Sequence, residues 1–279
     1  MTFTHTIWAS QVVAAADLPD ERLDQRLTAI FMDKIEHPSA SIPQAAGSAA
    51  AAKATYRFYA NERVTADALR RGIATETARR CLEEDVVLVV QDTTSLNFTG
   101  LQHSIPELGP IDSGGLARGV HLHTALGVTT SGLVIGILDQ QYWARPQKGQ
   151  PAPEEKESGK WINGIDAARD VLYAAAGDRP LPRLIHVMDR EGDAYDVMMT
   201  IVDAGDSAII RCAQNRRIDD PLTKAHEAVR TVLCRQEILV PRKTGVPERH
   251  AQVEVRSLQV TLVPDLEKYP HAWPMTWNL

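Results

Sequence analysis

Two aspartates in the middle of the chain stand where a carboxylate could do chemistry. Asp92 and Asp189 each follow five predominantly apolar residues, 86–90 in the first case and 184–188 in the second. Short apolar runs of this kind predict buried central strands. Turn-like residues follow each aspartate, 93–95 after Asp92 and 190–192 after Asp189. If the two strands are parallel neighbours, both carboxylates emerge at the same edge of a sheet.

A pair of neighbouring carboxylates favours a bound metal ion. Two carboxylates held close together repel, and each raises the pKa of the other. A divalent cation relieves that repulsion, and oxygen ligands favour Mg²⁺ or Mn²⁺. Such ions can activate water or a DNA 3′-hydroxyl and stabilise charge on a phosphate under attack. Aspartates at strand ends are also common in α/β proteins without a metal, so topology alone leaves both interpretations open.

The elements around these aspartates can be predicted from apolar periodicity. Helices are expected at 157–176 and about 194–202, a hairpin turn at 130–132, and strands at 86–90, 120–128, 132–140, 184–188 and 208–212. The order is strand, hairpin, helix, strand, helix, strand, and a right-handed crossover makes the strand after the first helix parallel to the first strand. This is the arrangement of a ribonuclease H-like core, so we expect an α/β protein.

The first 80 residues are predicted to be helical. Apolar residues recur at three- and four-residue intervals from Leu18 to Ile35, the periodicity of an amphipathic helix. His37 and Pro38 end it, and Thr65 is a candidate N-cap for a later helix. Several short helices with basic and aromatic residues can form a small DNA-binding head, although generic helical packing explains the apolar stripe equally well.

These patterns divide the chain into three predicted domains. Residues 1–80 form the helical head, 81–213 a partial ribonuclease H-like core, and 214–279 the start of a β-rich insertion. In the last part, short β-type runs at 238–240 and 253–255 are separated by proline and glycine. We therefore expect both aspartates to belong to the middle domain.

The charge distribution is more informative than the formal net charge of −6, which is unfavourable for a protein that binds DNA. Residues 1–80 are nearly balanced, residues 81–210 are strongly acidic, and residues 211–256 are basic. An acidic middle between neutral and basic parts fits a metal-binding centre with DNA-contacting surroundings. Ordinary solvated surface charge explains the same distribution.

The cysteines and the apolar segments indicate the cellular compartment. Cys81, Cys212 and Cys234 form no CxxC pair, which argues against a disulfide framework or a zinc site. The N-terminus has no secretory signal, and the longest aliphatic run is too short to span a bilayer. We expect a cytoplasmic protein, associated with the nucleoid through DNA, and no membrane partner.

Several short motifs follow one another along the chain. Residues 92–96 read D-T-T-S-L, and residues 189–193 fit the pattern D-R-E-x-D. The others are I-W-A at 7–9, A-T-Y-R-F at 54–58, L-H-T-A-L at 122–126, W-A-R-P at 143–146 and E-K-E-S-G-K-W at 155–161. In this order and spacing, the set resembles the IS4 family of transposases, and specifically its Tn5-like branch.

The resemblance implies a DDE transposase of the cut-and-paste type. In it, Asp92 and Asp189 are catalytic metal ligands, with Mg²⁺ or Mn²⁺ as cofactor, for cleaving and joining DNA strands. It also implies DNA contacts from the A-T-Y-R-F stretch and from the segment after the last core strand, the candidates being Arg57, Arg211, Asn215 and Arg216. The expected partners are transposon-end double-stranded DNA, target DNA and, for the full-length family, a second copy of the chain.

The family's third carboxylate belongs to a later motif, Y-x-x-R-x-x-x-E-x-x-x-x-x-x-K, which this sequence lacks. Tyr142 has Arg145 three residues on, but Gly149 stands where glutamate is needed. The resemblance therefore implies a C-terminally truncated chain with very little strand-transfer activity and no dimerisation region. Two alternatives stay open: a non-catalytic fragment that binds transposon ends as an inhibitor, and a decayed pseudogene product.

Other polar residues near the motifs have simpler interpretations. His121 and His123 alternate on a predicted strand and point to one face, where packing or a polar contact is favoured over a metal site. Glu191 and Asp193 lie beside Asp189. We interpret them as supporting or capping groups, not as replacements for the missing glutamate.

Overall fold

The computed structural model describes residues 2–147, 149, 157–220, 224–228 and 232–279. The chain divides into two compact units, which are Met1–Asp189 with Ala204–Ile209, and Arg190–Asp203 with Ile210–Leu279. The division into three domains at residues 80 and 213 stays a prediction.

Five helices open the first unit, in line with the helical prediction for residues 1–80. They are α1 (Thr2–Ala16), α2 (Glu21–Glu36), α3 (Ile42–Ala45), α4 (Ala49–Tyr59) and α5 (Ala66–Cys81). The hydroxyl of Thr65 accepts a hydrogen bond from the N–H of Ala68, so the predicted N-cap of α5 is confirmed. The predicted stop at His37 is also confirmed, because this residue is the C-cap of α2.

One apolar side of α2 lies at the centre of the helical cluster. Leu23, Leu27 and Ile30 are buried and pack in one core with Phe58 of α4. Their spacing of three and four residues aligns them on one side of the helix, as the periodicity predicts. Leu18 belongs to the same core but lies before α2 begins, so it reaches the core from the preceding loop.

A glycine allows α1 and α5 to approach closely. A Cβ atom at Gly72 would lie 2.5 Å from the carbonyl oxygen of Val12 and 2.9 Å from the Cβ of Ala16. Both distances are too short for a packed interior, so a larger residue would push the helices apart. Arg71 ties the same two helices together by donating to the carbonyl oxygen of Ala16 at 3.2 Å.

A six-stranded sheet follows the helices in sequence. Its strands are β1 (Val86–Asn97), β2 (Gly109–Pro110), β3 (Arg118–Val128), β4 (Val134–Trp143), β5 (Arg183–Met188) and β6 (Ser207–Ile210). The strand order is β2-β3-β1-β5-β6, and β4 also pairs with β3. Strand β1 runs antiparallel to β3 and parallel to β5. The predicted parallel pairing of the strands that lead to the two aspartates is therefore confirmed.

The strand that carries Asp92 is longer than the sequence predicts. Strand β1 continues to Asn97, because its second half pairs with β3 as far as Asn97 opposite Gly119. The prediction of a turn at residues 93–95 is therefore wrong. These polar residues are strand residues with antiparallel partners, and Asp92 lies inside the strand instead of at its end.

The connections agree more closely with the prediction. The hairpin between β3 and β4 turns at Gly132, whose φ of +88° favours glycine. The two predicted helices are observed as α6 (Lys160–Ala176), preceded by a short 3₁₀ turn, and α7 (Tyr195–Asp203). The fold is thus mixed α/β with a helical N-terminal part. Within the described residues, none of the helices has the length and apolarity needed to cross a membrane.

One face of the sheet packs against α5 and α6. Val87 and Val89 of β1 are fully buried there, in one core with Ala168 of α6. The intervening residues of β1 are only partly buried. Because successive side chains of a strand point to opposite faces, Gln91 lies on the helix-covered face and Asp92 on the other.

The second unit contains α7 and has its own small core. Its further elements are α8 (Ala225–Ala228), β7 (Val232–Val240), β8 (Arg249–Arg256), β9 (Gln259–Leu262) and β10 (Met275–Asn278). The β-type runs predicted at 238–240 and 253–255 lie in β7 and β8, which pair antiparallel. Tyr195 of α7 is buried in the core of this unit, and its hydroxyl donates to the carbonyl oxygen of Trp273 at 2.9 Å.

Candidate functional site

Strands β1 and β5, which lead to Asp92 and Asp189, are parallel neighbours. The last pair in the register of β1 and β5 is Val90 opposite Val187. Each aspartate comes two residues later, so continuing the register sets Asp92 beside Asp189. Asp189 is the first residue after β5, whereas Asp92 lies inside β1. The register therefore brings the ends of the two apolar runs to one level, and the proximity of the two carboxylates and their role stay predictions.

The side chains of Asp92 and Asp189 are both exposed to solvent. Solvent access suits Mg²⁺, which usually keeps several of its water ligands when a protein binds it. Across the described part of the chain, no group of three or more His, Cys, Asp or Glu residues could hold a metal ion. The arrangement therefore offers two oxygen ligands for a divalent ion, not a complete protein cage.

On the helix-covered face of the sheet, polar side chains are buried next to Asp92. His123 of β3 is fully buried and stands opposite Thr93 in the register. Its Nδ1 lies 2.8 Å from Thr93 Oγ1, and its Nε2 lies 2.9 Å from Gln91 Oε1. Trp161 of α6 contacts the imidazole edge-on, with ring centroids 4.7 Å apart. The interpretation of His123 as a polar contact is confirmed.

His121 makes a similar contact with a hydroxyl of β1. Its Nδ1 lies 3.1 Å from Ser95 Oγ, and its ring stacks on Trp143 with centroids 5.5 Å apart. Burial lowers the pKa of His121, and the charge of Arg145 acts in the same direction. The imidazole is therefore neutral near pH 7, which suits packing and hydrogen bonding.

Glu157 joins the W-A-R-P motif to the E-K-E-S-G-K-W motif. It accepts a hydrogen bond from Trp143 Nε1 at 2.8 Å and two from the Arg145 guanidinium at 2.6 and 2.8 Å. The Arg145 hydrogen bonds outweigh burial and lower the pKa of Glu157 to about 2. An ion pair thus holds the two motifs together. Glu155 and Lys156 lie outside the described residues.

Asp193, the last residue of the D-R-E-x-D motif, is buried in the second unit. Its Oδ2 accepts hydrogen bonds from the N–H groups of Ala213 and Gln214 at 2.6 and 2.7 Å. Its Oδ1 accepts from Arg216 at 2.6 Å, and Arg216 also donates to the Asp193 carbonyl oxygen. These contacts agree with the interpretation of Asp193 as a supporting group, since they fix the loop after β6 to the start of α7.

The three residues proposed to contact DNA after the last core strand have different surroundings. Arg211 and Asn215 are exposed, and Asn215 Oδ1 accepts from the N–H of His226 at 3.0 Å. Arg216 is largely buried against Asp193, so a contact to phosphate would compete with that ion pair. DNA contact by these three residues stays a prediction.

Arg57 lies on the exposed side of α4. The buried side of this helix contains Thr55 and Phe58, whereas Lys53, Tyr56 and Arg57 face solvent. Basic and aromatic side chains on one accessible helix face suit contact with phosphates and bases.

Sequence reasoning misses two residues that shape this region, Gln91 and Glu157. For Gln91 a signal exists. Gln91, Thr93 and Ser95 alternate along β1, just as the two histidines alternate on a neighbouring strand. A polar residue at an inner position of an apolar strand predicts a buried hydrogen-bond partner. For Glu157 no local pattern indicates that its partners are in the W-A-R-P motif.

Residues 5–64 match a family model described as transposase DNA-binding. The matched segment begins within α1, ends before α5, and includes the exposed Arg57 of α4. The match supports a transposase with a DNA-binding role, and it assigns that role to the N-terminal helices.

Proposed function

We propose that this chain is the DNA-binding and catalytic part of a cut-and-paste DDE transposase of the IS4 family, in its Tn5-like branch. The observation that supports the proposal is the parallel register of β1 and β5, which would set Asp92 beside Asp189 if it continued for two more residues. The sheet order supports a ribonuclease H-like core, because an antiparallel group β4-β3-β1 continues into β5 and β6. The family match at residues 5–64 supports the DNA-binding part.

In this proposal Asp92 and Asp189 would hold Mg²⁺ or Mn²⁺. The donor set fits these ions, because carboxylate oxygens are hard ligands and Mg²⁺ commonly takes one or two carboxylates together with water and phosphate oxygens. When bound, such an ion activates water and polarises a phosphoryl oxygen. The role of the protein is to present the two carboxylates side by side on neighbouring strands of a packed sheet.

The substrate of the proposed reaction is double-stranded DNA at transposon ends. Water first attacks phosphorus, and the P–O bond that breaks frees a 3′-hydroxyl. That hydroxyl attacks the opposite strand and becomes part of a new P–O bond as another P–O bond there breaks. A second water must then hydrolyse the new bond and free the 3′-hydroxyl again before it attacks the target DNA, so each step forms one P–O bond and breaks another. Among the described residues, no third carboxylate is grouped with Asp92 and Asp189.

Mn²⁺ binding to the full chain tests the carboxylate pair. The free-ion EPR signal should fall on addition of the wild-type protein, and affinity should be at least about tenfold weaker in Asp92→Asn and in Asp189→Asn. Asp196→Asn, an exposed aspartate on α7, is the matched control and should bind like wild type. Equal binding by all four proteins would overturn the proposed metal site.

A second candidate function is binding of transposon ends without cleavage. The family match is favourable to it, because the match covers the DNA-binding helices and no catalytic motif. Such a protein would occupy transposon ends and block an active enzyme. A decayed pseudogene product is the remaining alternative, and a cooperative thermal melt would count against it.

Selection from a library of random DNA duplexes, followed by gel shift, tests DNA binding. We expect binding in low salt that weakens steeply between 50 and 200 mM salt, since released counterions drive phosphate contacts. Arg57→Ala should reduce the salt slope by about one. Arg179→Ala, an exposed arginine outside the matched segment, should leave it unchanged. Absence of binding in low salt would overturn both candidate functions.

A further inference from the structure

We propose that His123 is a positioning residue for Asp92. The inference rests on the proposed function, because it assigns a role toward the carboxylate that would bind the metal ion. His123 acts through the two residues that flank Asp92 on β1, Gln91 and Thr93. We call these three residues, His123, Gln91 and Thr93, the imidazole clamp.

A single imidazole ring bonds to the residues on both sides of Asp92. Nδ1 of His123 lies 2.8 Å from Thr93 Oγ1, and Nε2 lies 2.9 Å from Gln91 Oε1. Gln91 and Thr93 point to one face of β1 and Asp92 points to the other. Holding both neighbours fixes the peptide units on either side of Asp92, and with them the direction in which its carboxylate leaves the strand.

The two hydrogen bonds fit one form of the ring. The amide oxygen of Gln91 only accepts, so Nε2 of His123 carries the hydrogen that is donated to it. Nδ1 of the neutral ring then accepts from the Thr93 hydroxyl. The Gln91 oxygen thus sets the role of both nitrogens in the neutral ring, and the Thr93 hydroxyl, which can donate or accept, adapts to it.

Helix α6 leaves the clamp little room to move. His123 is fully buried, with Trp161 edge-on against its ring. Gly164 lies against Gln91, because a Cβ atom at Gly164 would overlap Gln91 Oε1. The positions of Gln91 and His123 are therefore set from the helix side as well as from the strands.

Packing alone does not explain the glutamine. Among the described residues, no partner is found for the buried Nε2 atom of Gln91. An unpaired buried amide N–H destabilises a fold, and an apolar residue would avoid that loss. Val87 and Val89 occupy the same face of β1 without any polar group. The bond to His123 is the contact that a glutamine adds here.

Thr93→Val removes one hydrogen bond of the clamp and keeps a β-branched side chain. The matched control is Ser95→Ala, which removes the hydroxyl that contacts His121, farther along β1. Two readouts are Mn²⁺ affinity by EPR and amide hydrogen exchange at residues 91–93. Thr93→Val should weaken Mn²⁺ binding and speed this exchange by about tenfold each. Ser95→Ala should change neither by more than about twofold.

Gly164→Ala disturbs the clamp without changing any of its polar groups. Its methyl group should displace Gln91 from His123 and produce the same two effects as Thr93→Val. Alanine is the better helix former, so α6 itself should not weaken. Gly159→Ala is the matched control at the start of α6, because a Cβ atom there meets no other atom within 4 Å.

The outcomes separate the clamp from the proposed function. Wild-type exchange and Mn²⁺ affinity in both Thr93→Val and Gly164→Ala would overturn the clamp. Faster exchange along the whole of β1 would also overturn it, since that result indicates a general structural role. If Asp92→Asn binds Mn²⁺ as tightly as wild type, the proposed metal site fails instead. The exchange data at residues 91–93 then decide by themselves whether the clamp orders Asp92.

Discussion

The two aspartates of the D-R-E-x-D motif have opposite surroundings. Asp189 belongs to the first unit and is exposed, directly after a strand. Asp193 belongs to the second unit and is fully buried, with Arg216 and two backbone N–H groups as partners. One short motif thus contains an exposed carboxylate and a buried one.

This contrast distinguishes a carboxylate that the fold requires from one that a ligand explains. A buried carboxylate loses its hydration and must recover the energy from partners inside the protein. An exposed carboxylate keeps its hydration. If a second carboxylate lies beside it, it is a better candidate for binding a cation than a buried one. Glu157, partly buried between Trp143 and Arg145, is intermediate.

Asp193→Asn should have the largest effect on stability. The substitution leaves the guanidinium of Arg216 largely buried without a counter-charge, which costs roughly 3–5 kcal/mol. It also weakens the acceptor for the N–H groups of Ala213 and Gln214. Urea unfolding of the full chain, followed by circular dichroism, measures the change.

Asp196→Asn is the matched control, because Asp196 is an exposed aspartate on α7, three residues after Asp193. Its free energy of unfolding should change by no more than about 0.5 kcal/mol. If Asp193→Asn is as stable as this control, burial does not separate the two kinds of carboxylate and the comparison fails.

Much of the order of helices and strands could be predicted, because apolar periodicity encodes which face of an element is buried. Leu23, Leu27 and Ile30 define α2 in this way, and the apolar run at 86–90 defines the first half of β1. The second half of β1 is polar and is a strand only because β3 pairs with it. A local pattern does not contain that information.

The carboxylate pair could be proposed from two similar strand-to-aspartate junctions, but the partners of the other charged residues could not. Arg216 meets Asp193 across 23 positions, and Arg145 meets Glu157 across 12. These four residues are of charged types that are common on protein surfaces, so residue type alone does not predict which of them form pairs. Which charged residues form pairs depends on the conformation of the loops. The burial of Arg216 against Asp193 was therefore not predicted from the sequence, which suggested a phosphate contact at the surface.

Glu157→Gln should have an intermediate effect of about 1 kcal/mol at pH 7. The charge-assisted bonds to Arg145 are lost, but solvent partly screens them because about a third of the side chain is exposed. Arg145 lowers the pKa of Glu157 from 4.5 to about 2. The stabilisation is therefore fully present above about pH 4.5 and is lost as the pH falls toward 2.

Urea unfolding at pH 7 and pH 3 measures this difference. The gap between wild type and Glu157→Gln should shrink at the lower pH. A gap that stays constant would mean that the bond to Trp143, not the charge pair, is what the glutamate contributes.

Asp92→Asn and Asp189→Asn should have the smallest effect on stability when no divalent ion is present, within about 0.5 kcal/mol of wild type. If the two carboxylates are neighbours, removing one charge relieves repulsion, so a small gain in the free energy of unfolding also agrees with the proposal. Mn²⁺ at ten times its wild-type dissociation constant should stabilise the wild-type chain by about 1.4 kcal/mol, because it binds only the folded state, and should stabilise each variant by no more than about 0.4 kcal/mol. Urea unfolding with and without Mn²⁺ measures both effects. A loss above about 2 kcal/mol without metal would show that the fold itself requires the substituted aspartate, as it requires Asp193.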